Sequence, residues 1–289
     1  YSMILIVDSG STKTDWIAIN TLGETLFATQ TLGLNPQVLS SAILRERMIN
    51  NFDLYQNRKE VTHLYFYGAG CGVDTPQRRI KKVFDEIFVN SDIIIKEDTY
   101  AAVYAAAKTN EKSIVCILGT GSNCTYFDGV DIEQRVISLG YILMDEASGN
   151  FFGKQLIRSY YFNTMPKGLA LEFENEYDLS PDTMKENIYR RENPNTYLAT
   201  FSRFLIKHKK VPLFQDIIAK GLDRFIKHQI LQFEDAREIP IHFIGSISFY
   251  LKDEIERALK VHGLSMGIIV QRPIDELVNF HKNLIELKS

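Results

Sequence analysis

The first thirty residues alternate short apolar runs with clusters of turn-forming residues. Residues 3–7, 14–19 and 24–29 are rich in β-branched and aromatic side chains, and "DSGST" and "NTLGE" separate them. Apolar runs of this length, bounded by Gly, Asn, Asp and Ser, are typical of strands joined by tight turns. The pattern therefore predicts three consecutive strands in an antiparallel meander.

After the meander, the apolar positions alternate between the helical and the strand period. The pattern predicts a helix over 38–50, a buried strand over 61–67 and a second helix over 76–89. A short strand "DIIIK" and an alanine-rich helix over 99–108 follow. Strands that alternate with helices indicate a layered α/β unit.

The opening pattern returns at residue 113. "SIVCIL" is an apolar strand, "GTGSN" is a turn of small residues and "CTYF" is a second strand, and we predict one more strand in "VDIEQRVIS". Two halves that both begin with a strand, a small-residue turn and a strand indicate a duplicated unit. We therefore predict two α/β domains, residues 1–112 joined by the last helix at 273–289, and residues 113–272.

The second predicted domain contains a long helical insertion. Residues 147–233 have mainly the helical spacing of apolar positions. They are followed by a buried strand "IPIHFIG", a helix to about residue 262, a strand "GIIVQ" and a closing helix after Pro273.

The composition fits a folded protein with two cores. The chain has 289 residues, of which 45% are hydrophobic and 24% are charged. Its net charge of -3 lacks the basic excess that nucleic-acid binding normally needs, so "RRIKK" and "KHKK" are predicted to be solvated helix faces. We expect no nucleic-acid partner.

The cysteines and the apolar runs bear on the compartment. Cys71, Cys116 and Cys124 have no CxxC spacing, and their odd number argues against a disulfide framework. No apolar run reaches the ~18 residues that span a bilayer, and "MILIV" is too short for a signal peptide. We therefore expect a cytoplasmic protein without a membrane partner.

The turn "DSGSTKT" has the chemistry of an anion-binding loop. Gly10 can adopt a positive φ, and neighbouring Ser and Thr hydroxyls add to the backbone N–H donors. Lys13 would add a positive charge, whereas Asp8 would repel a phosphate unless a cation such as Mg²⁺ lies between them. Taken alone, the stretch fits a plain hairpin equally well.

Two further turns have similar chemistry. "LGTGSN" repeats the small-residue turn of the first half, which would let both domains grip one polyphosphate. Neither turn has the Walker spacing, and neither "GTGSNC" nor "GAGCGV" is GxGxxG, which excludes the P-loop and Rossmann interpretations. "IGSIS" ends a buried strand and begins a helix, which suits a nucleotide, although Ser246 could also simply cap that helix.

Two acidic positions have both a structural and a chemical interpretation. Asp98 in "KEDTYAAVYAA" lies between a strand and a helix, where it could cap the helix or act as a general base toward a substrate hydroxyl. Asp145 in "SLGYILMDEASG" precedes a long helix, where it could cap that helix or bind sugar hydroxyls. The six histidines lack metal-ligand spacing and are interpreted as structural.

Taken together, these stretches resemble a known family in order and spacing. "DSGSTKT", "EDTYAA", "LGTGSNC", "LGYILMDEASG" and "IGSIS" resemble the actin-like sugar kinases of the BadF/BadG/BcrA/BcrD ATPase group, and within it the N-acetylglucosamine kinases. The resemblance spans nearly the whole chain. It implies an α/β actin-like ATPase fold with two lobes, duplicated ribonuclease-H-like domains, ATP and a sugar in the cleft, and a homodimer.

The resemblance also implies a role for individual residues. On the nucleotide side, the first phosphate loop would consist of Gly10, Ser11, Thr12 and Lys13, and Asp8 would lie near Mg²⁺. The second loop would consist of Thr120, Gly121 and Asn123, and the adenosine would be bordered by Gly245 and Ser246. On the sugar side, the side chains of Asn35 and Asp145 and the backbone of Ser138, Leu139 and Gly140 would contact the sugar. Asp98 falls on the catalytic aspartate.

The sequence departs from the family pattern near the implied sugar site. Ser138, Leu139 and Gly140 stand where N-acetylglucosamine kinases tend to have Gly-Trp-Gly, and "GDEGS" has become "MDEASG". The closing segment "RPIDELVNFHKNL" lacks the small-residue Gly-Ala run that is common in the last helix of the family. These departures leave the identity of the sugar open.

The resemblance implies an ATP-dependent kinase of N-acetylglucosamine or a related amino sugar, acting at the 6-hydroxyl with Asp98 as the base. Two alternatives remain at this stage. One is an ATPase that activates a partner enzyme, as iron-sulfur proteins of the same broad group do. The other is an ATP-binding sensor whose catalysis has decayed.

Overall fold

The computed structural model of the chain describes residues 2–108 and 110–286. The chain divides into two compact units. The first contains the residues up to Ala106 together with those from Arg272 onward, and the second contains Ala107–Gln271.

The strands follow the predicted order closely. In chain order they are β1 (Met3–Ser9), β2 (Lys13–Ile19), β3 (Thr25–Leu32), β4 (Val61–Gly68), β5 (Asp92–Glu97), β6 (Ser113–Leu118), β7 (Ser122–Phe127), β8 (Ile132–Glu133), β9 (Ile241–Ile244) and β10 (Met266–Val270). The strand predicted in "VDIEQRVIS" was too long, because only Ile132 and Glu133 pair with β7.

Most helices lie where the apolar spacing predicted them, some divided in two, and the short helix Phe52–Asn57 was not predicted. In chain order they are α1 (Ser41–Ile49), α2 (Phe52–Asn57), α3 (Asp74–Ile87), α4 (Asp98–Ala106), α5 (Gly149–Tyr161), α6 (Lys167–Glu176), α7 (Pro181–Tyr189), α8 (Pro194–Thr200), α9 (Ser202–Lys207), α10 (Pro212–His228), α11 (Ser246–Tyr250), α12 (Lys252–Val261) and α13 (Ile274–Glu286). None of the helices in the described part of the chain is both long and apolar enough to cross a membrane.

The first unit contains the predicted meander and two parallel strands. Within the described residues its sheet has five strands in the order β3-β2-β1-β4-β5. β1 is antiparallel to β2 and β2 to β3, whereas β4 is parallel to both β1 and β5. The carboxyl ends of β1, β4 and β5 therefore meet at one end of the sheet, where Ser9, Gly68 and Glu97 are aligned.

Each face of this sheet packs against different helices. Alternate residues of a strand point to opposite faces. Leu5 and Val7 of β1 pack in a core with α1 and α3, whereas Ile4 and Ile6 pack in a second core with α4 and α13. Asp8 continues the second set, so it lies on the face of the sheet that α4 and α13 cover.

The second unit repeats this topology strand for strand. Its sheet, again of five strands among the described residues, has the order β10-β9-β6-β7-β8. β6, β7 and β8 form an antiparallel meander, and β9 is parallel to β6 and β10. One large core joins the sheet to the surrounding helices of the unit, which include α5, α10 and α12. The predicted duplication of an α/β unit is thus confirmed at the level of strand order and direction.

A buried histidine in α13 makes the stability of the first unit depend on pH. His281 is 4% exposed, and its Nε2 lies 2.9 Å from the Tyr67 hydroxyl. Burial, and then the charge of Lys96, lowers the pKa of His281 to about 4. A histidine in the unfolded chain titrates near 6.5, so only the unfolded state takes up this proton between the two values. Stability is therefore lost as the pH falls through this window.

We expect His281→Gln to lose less stability than the parent between pH 7 and pH 5, by on the order of 2 kcal/mol. Urea unfolding of both proteins at the two pH values measures this difference. His228→Gln serves as the control, because the ring of His228 is exposed in the folded protein. Equal pH dependence in the parent and in His281→Gln would contradict the account.

Candidate functional site

The turn between β1 and β2 is a tight hairpin with an open backbone. The Gly10 N–H donates to the Lys13 carbonyl at 3.0 Å, which leaves Ser11 and Thr12 at the tip. The sequence allowed Gly10 a positive φ, but the residue does not adopt one. A Cβ on Gly10 would contact only the Lys13 carbonyl, at 3.7 Å. The protein itself thus leaves room at Gly10, and the backbone there is accessible to a ligand.

The hydroxyl of Ser9 supports the hairpin from inside. Ser9 and Thr14 are fully buried, and their side-chain oxygens lie 2.8 Å apart. The Leu34 N–H donates to the Ser9 hydroxyl at 3.1 Å. Ser9 therefore holds the chain that follows β3 against the hairpin. Unlike Ser11 and Thr12, it does not lie at the hairpin tip.

The chain after β3 crosses directly over the hairpin tip. The Gly33 N–H donates to the Thr12 carbonyl at 2.9 Å, and a Cβ on Gly33 would lie 2.2 Å from the Ser11 carbonyl oxygen. Asn35 is 8% exposed, its Nδ2 donates to the Ser11 hydroxyl at 3.3 Å, and its Oδ1 accepts the Gln37 N–H at 2.9 Å. Asn35, predicted to bind sugar, thus lies beside Ser11, predicted to bind phosphate.

Asp8 lies at the carboxyl end of β1, directly opposite Asp15 on β2. Burial, and then the charge of Asp15, raises the pKa of Asp8 to about 7, although Lys13 and Arg272 act in the opposite direction. The Lys13 ammonium also lies 3.0 Å from the Asp15 carboxylate, so it is an ion-pair partner as well as the predicted cation of the turn. A carboxyl group with these neighbours is suited to binding a cation.

The loop after β4 joins the other parts of this end of the sheet. Gly70 has a φ of +79°, and a Cβ there would lie 2.1 Å from the Asn35 Oδ1. A Cβ on Gly72 would lie 2.7 Å from the Glu97 Oε1. The loop therefore packs tightly between Asn35 and Glu97, and the positive φ of Gly70 favours glycine at that position. Nothing in the sequence "GAGCGV" itself signals this packing role.

Asp98 is the first residue of α4 and directly follows β5. A hydrogen bond from the Thr99 backbone N–H acts to lower the pKa of its carboxyl group, but Asp98 lies inside the helix and is not its N-cap. Burial, and then the charges of Glu97 and Asp8, nevertheless raise the pKa of Asp98 to about 8. A carboxyl group of this pKa that is still partly exposed can accept a proton near neutral pH. The position of Asp98 is therefore compatible with the general-base interpretation.

In the second unit, the start of α5 fixes the turn between β6 and β7. The Gly119 N–H donates to the Gly121 carbonyl at 3.0 Å, and the Gly149 N–H donates to the Gly119 carbonyl at 2.8 Å. Asn150 donates to the Thr120 carbonyl with its backbone N–H at 3.0 Å and with its Nδ2 at 2.7 Å. Asn150 was missed in the sequence, and its only signal there is its place at the start of a long helix.

Asp145 contacts the same turn. It is 8% exposed, and its carboxylate accepts the Ser122 N–H at 3.2 Å and the Asn150 Nδ2 at 2.8 Å. Burial raises the pKa of Asp145, and these two hydrogen bonds act in the opposite direction. The capping interpretation of Asp145 was wrong, because Ser148 is the N-cap of α5. Asp145 therefore supports the geometry of Gly121 and its neighbours.

The segment before Asp145 is irregular. Ser138 and Leu139 are exposed, and Gly140 has a φ of +83°. Asp145 and Ala147 have φ values of 69° and 59°, which cost a residue with a side chain about 1–2 kcal/mol each. Ala147 stands where "GDEGS" has its second glycine, so the departure noted in the sequence adds backbone strain. Strain of this kind is concentrated at functional sites.

The end of β9 approaches the same turn. Gly245 has a φ of 111°, and a Cβ there would lie 2.6 Å from the Leu118 carbonyl oxygen, so only glycine fits. The suggestion that Ser246 caps the following helix was wrong, because Gly245 is the N-cap and Ser246 is an exposed first residue. Asn123, one residue into β7, turns its Oδ1 back to the Cys124 N–H at 2.8 Å. The second turn, Asp145 and Gly245 therefore converge.

A separate groove of about 850 Å³ lies between α10 and α12. Its lining includes apolar side chains, among them Ile218, Leu222 and Ala258, and several charged side chains. None of the predicted site residues lines it.

Solved structures identify the family of the chain. A scan against protein-family models gives no match, and a search of curated proteins gives none. Among solved structures, a protein from Porphyromonas gingivalis, provisionally named an N-acetylglucosamine kinase, is 34% identical with a TM-score of 0.86, and the match covers 98% of this chain and 99% of that chain. The chain belongs to the N-acetylglucosamine kinase family.

Two further structures share the fold of this sugar-kinase family member. A protein from Chromobacterium violaceum, also provisionally named an N-acetylglucosamine kinase, is 15% identical with a TM-score of 0.72, over 96% of this chain and 98% of that chain. A ROK family glucokinase from Streptomyces griseus, solved with glucose and AMPPNP, is 14% identical with a TM-score of 0.63, over 99% of both chains. These two similarities concern the fold alone. They confirm the prediction that this chain has the actin-like fold of sugar kinases.

Proposed function

We propose that this family member is an ATP-dependent kinase that phosphorylates N-acetylglucosamine, or a related amino sugar, at its 6-hydroxyl. One observation carries the proposal. An open glycine hairpin, the buried amide of Asn35 and the Asp98 carboxyl group of raised pKa all lie at the carboxyl end of the first sheet. The 34% identity to the Porphyromonas gingivalis protein supports the class of sugar.

Asp98 is the general base of the proposed reaction. Its carboxylate accepts the proton of the sugar hydroxyl while that oxygen attacks the γ-phosphorus of ATP. The phosphoryl group moves to the sugar oxygen, ADP leaves, and the proton stays on Asp98 until solvent removes it. A pKa raised to about 8 supports this role, because a base is most efficient when its pKa lies near the working pH.

Backbone donors and hydroxyls of the two turns bind the nucleotide in this proposal. In the first unit these are Gly10, Ser11, Thr12 and Lys13, and in the second unit they are Thr120, Gly121 and Asn123, with Gly245 and Ser246 beside the adenosine. The support from geometry is strongest at Gly10, where the chain leaves open space, and at Gly245, which only glycine can occupy. Fixed donors that face a phosphate stabilise the charge that develops during transfer.

The residues also fit a magnesium ion. No group of three or more His, Cys, Asp or Glu side chains in the described residues could form a complete metal site. Mg²⁺ with a nucleotide needs none, because it takes most ligands from phosphates and water and only one or two from carboxylates. Asp8 would hold the ion, and a bound cation would oppose the burial and the Asp15 charge that raise the pKa of Asp8. The ion would neutralise charge on the phosphates.

Two buried polar side chains and a stretch of backbone bind the sugar in this proposal. Asn35 and Asp145 are both buried and oriented by hydrogen bonds, as residues that recognise hydroxyl groups need to be. The backbone of Ser138, Leu139 and Gly140 completes the set. Because this stretch lacks the Gly-Trp-Gly of the family, the proposal includes amino sugars related to N-acetylglucosamine.

We expect ADP release from ATP to be stimulated by at least one N-acetylhexosamine. The experiment measures ADP with a coupled assay in the presence of Mg²⁺ and a panel of hexoses, hexosamines and N-acetylhexosamines. The same assay without sugar is the control, because a kinase that excludes water hydrolyses little ATP. ADP release that no sugar stimulates would refute the kinase proposal, and ADP release that only a partner enzyme stimulates would favour the activating ATPase.

A further inference from the structure

Asp15 is a buried carboxylate that joins three segments of the first unit. Its side chain is 7% exposed. The Oδ1 accepts from the Gln30 Nε2 of β3 at 2.6 Å and from the Arg272 guanidinium at 3.0 Å, and the Oδ2 lies 3.0 Å from the Lys13 ammonium. A buried carboxylate needs such partners, because removing its charge from water without them costs several kcal/mol.

The two cations keep most of their donors in the open. The side chains of Lys13 and Arg272 are 45% and 49% exposed. An ammonium group has three N–H donors and a guanidinium has five, and one contact with Asp15 uses only a part of them. Both cations are therefore fixed by a buried anchor while they still face solvent. An exposed lysine or arginine without such an anchor would have to be ordered when a ligand binds.

The position of this cluster points to its ligand. Asp15 lies opposite Asp8, and Lys13 begins β2 directly after the hairpin tip. Lys13 and Arg272 both contact the carboxylate of Asp15, which is paired with Asp8, so both cations lie near the carboxyl end of β1. Arg272 comes 257 residues after Asp15 in the chain and lies just before α13. Its guanidinium group nevertheless contacts Asp15 on β2, next to the hairpin.

We propose that Arg272 binds the phosphates of the nucleotide together with Lys13, and that Asp15 is the positioning residue that orients both cations. This inference rests on the proposed function, because it takes the hairpin to be a phosphate site. It adds one binding residue and one positioning residue to that site. A guanidinium group held by a carboxylate can present its remaining donors to phosphate oxygens as a fork.

Arg272→Gln tests the binding role. We expect ADP and ATP to bind about tenfold more weakly, as for the loss of one charge-assisted hydrogen bond, and AMP to bind nearly as before. Arg272→Lys, which keeps the charge, should recover part of the loss. Isothermal titration with the three nucleotides measures these affinities. The matched control is Arg78→Gln, since Arg78 also pairs with an aspartate of the first unit, Asp74 on α3, at 3.4 Å, and should not affect any nucleotide.

Asp15→Asn tests the positioning role. We expect the ADP affinity of this variant to fall at least as far as in Arg272→Gln, because Asp15 holds both Lys13 and Arg272. The double variant should bind ADP no more weakly than Asp15→Asn alone, because Arg272 has already lost its anchor in that variant. A purely structural Asp15 would lower the unfolding temperature and leave the ADP affinity unchanged, which would overturn the positioning role. The Arg272 variants replace a half-exposed side chain, so they test the binding role even if Asp15→Asn does not fold.

The outcomes separate this inference from the proposed function. A parent protein that binds ADP and phosphorylates a sugar, with an Arg272→Gln variant of unchanged ADP affinity, overturns the inference alone. A parent protein that binds neither ATP nor ADP overturns the proposed function, and the inference with it.

Discussion

Asp98→Asn is expected to lower the turnover number by about 10²–10⁴-fold while the affinity for ATP stays unchanged. Asparagine has nearly the shape of aspartate and keeps an oxygen that can accept the Thr99 N–H, so the start of α4 is preserved. It cannot take up the proton of the attacking hydroxyl. Steady-state ADP release with a saturating sugar gives the turnover number, and calorimetry gives the ATP affinity.

The matched control for this variant lies on the same strand. Asp92 is exposed and begins β5, at the opposite end from Asp98. Asp92→Asn should retain the parental turnover. If Asp98→Asn phosphorylated sugar at the parental rate, another group would have to be the base.

Gly33→Ala is expected to damage both folding and nucleotide binding. The new Cβ would lie 2.2 Å from the carbonyl oxygen and 2.4 Å from the carbonyl carbon of Ser11, and neither backbone atom can move without moving the hairpin tip. We expect the free energy of unfolding to fall by about 2–4 kcal/mol and ATP to bind at least about tenfold more weakly. Urea unfolding and calorimetry measure the two effects.

Gly10→Ala separates the effect on nucleotide binding from the effect on stability, which Gly33→Ala combines. A Cβ on Gly10 would meet only the Lys13 carbonyl oxygen at 3.7 Å, and the φ of Gly10 suits any residue. Stability should therefore change by less than about 1 kcal/mol, whereas ATP affinity should fall because the methyl group enters the space proposed for a phosphate. A Gly33→Ala protein with parental stability and ATP affinity would contradict the close crossing of the chain at Gly33 over the hairpin tip at Ser11.

Much of the fold followed from local patterns. The strand–turn–strand openings of both halves were predictable, because short β-branched runs between turn residues have few alternatives. The strand predicted in "VDIEQRVIS" was too long because pairing with β7 ends after Glu133, and no local preference encodes where a neighbouring strand stops. The single helix predicted over 38–50 begins later for a local reason, since the Ser40 side chain caps α1.

The parts of the site that could be predicted lie within single motifs. Asp8, Gly10 and Asp98 each stand at the end of a strand, and a strand end is recognisable in the sequence. Asp15, Gly33 and Arg272 could not be recognised in this way. The contact between Asp15 and Arg272 joins positions 257 residues apart, and the glycine at 33 is required by a crossing of two chain segments. Such requirements arise from tertiary packing and leave no local signal.

The most direct test of the central claim is the identity of the product. The parent protein is incubated with ATP, Mg²⁺ and the sugar that stimulates ADP release most, and the mixture is followed by phosphorus and proton NMR. The account predicts ADP and a sugar phosphate in equal amounts, with the phosphorus coupled to the two protons on carbon 6. Formation of ADP with inorganic phosphate and an unchanged sugar, or a phosphate on another carbon, would contradict it.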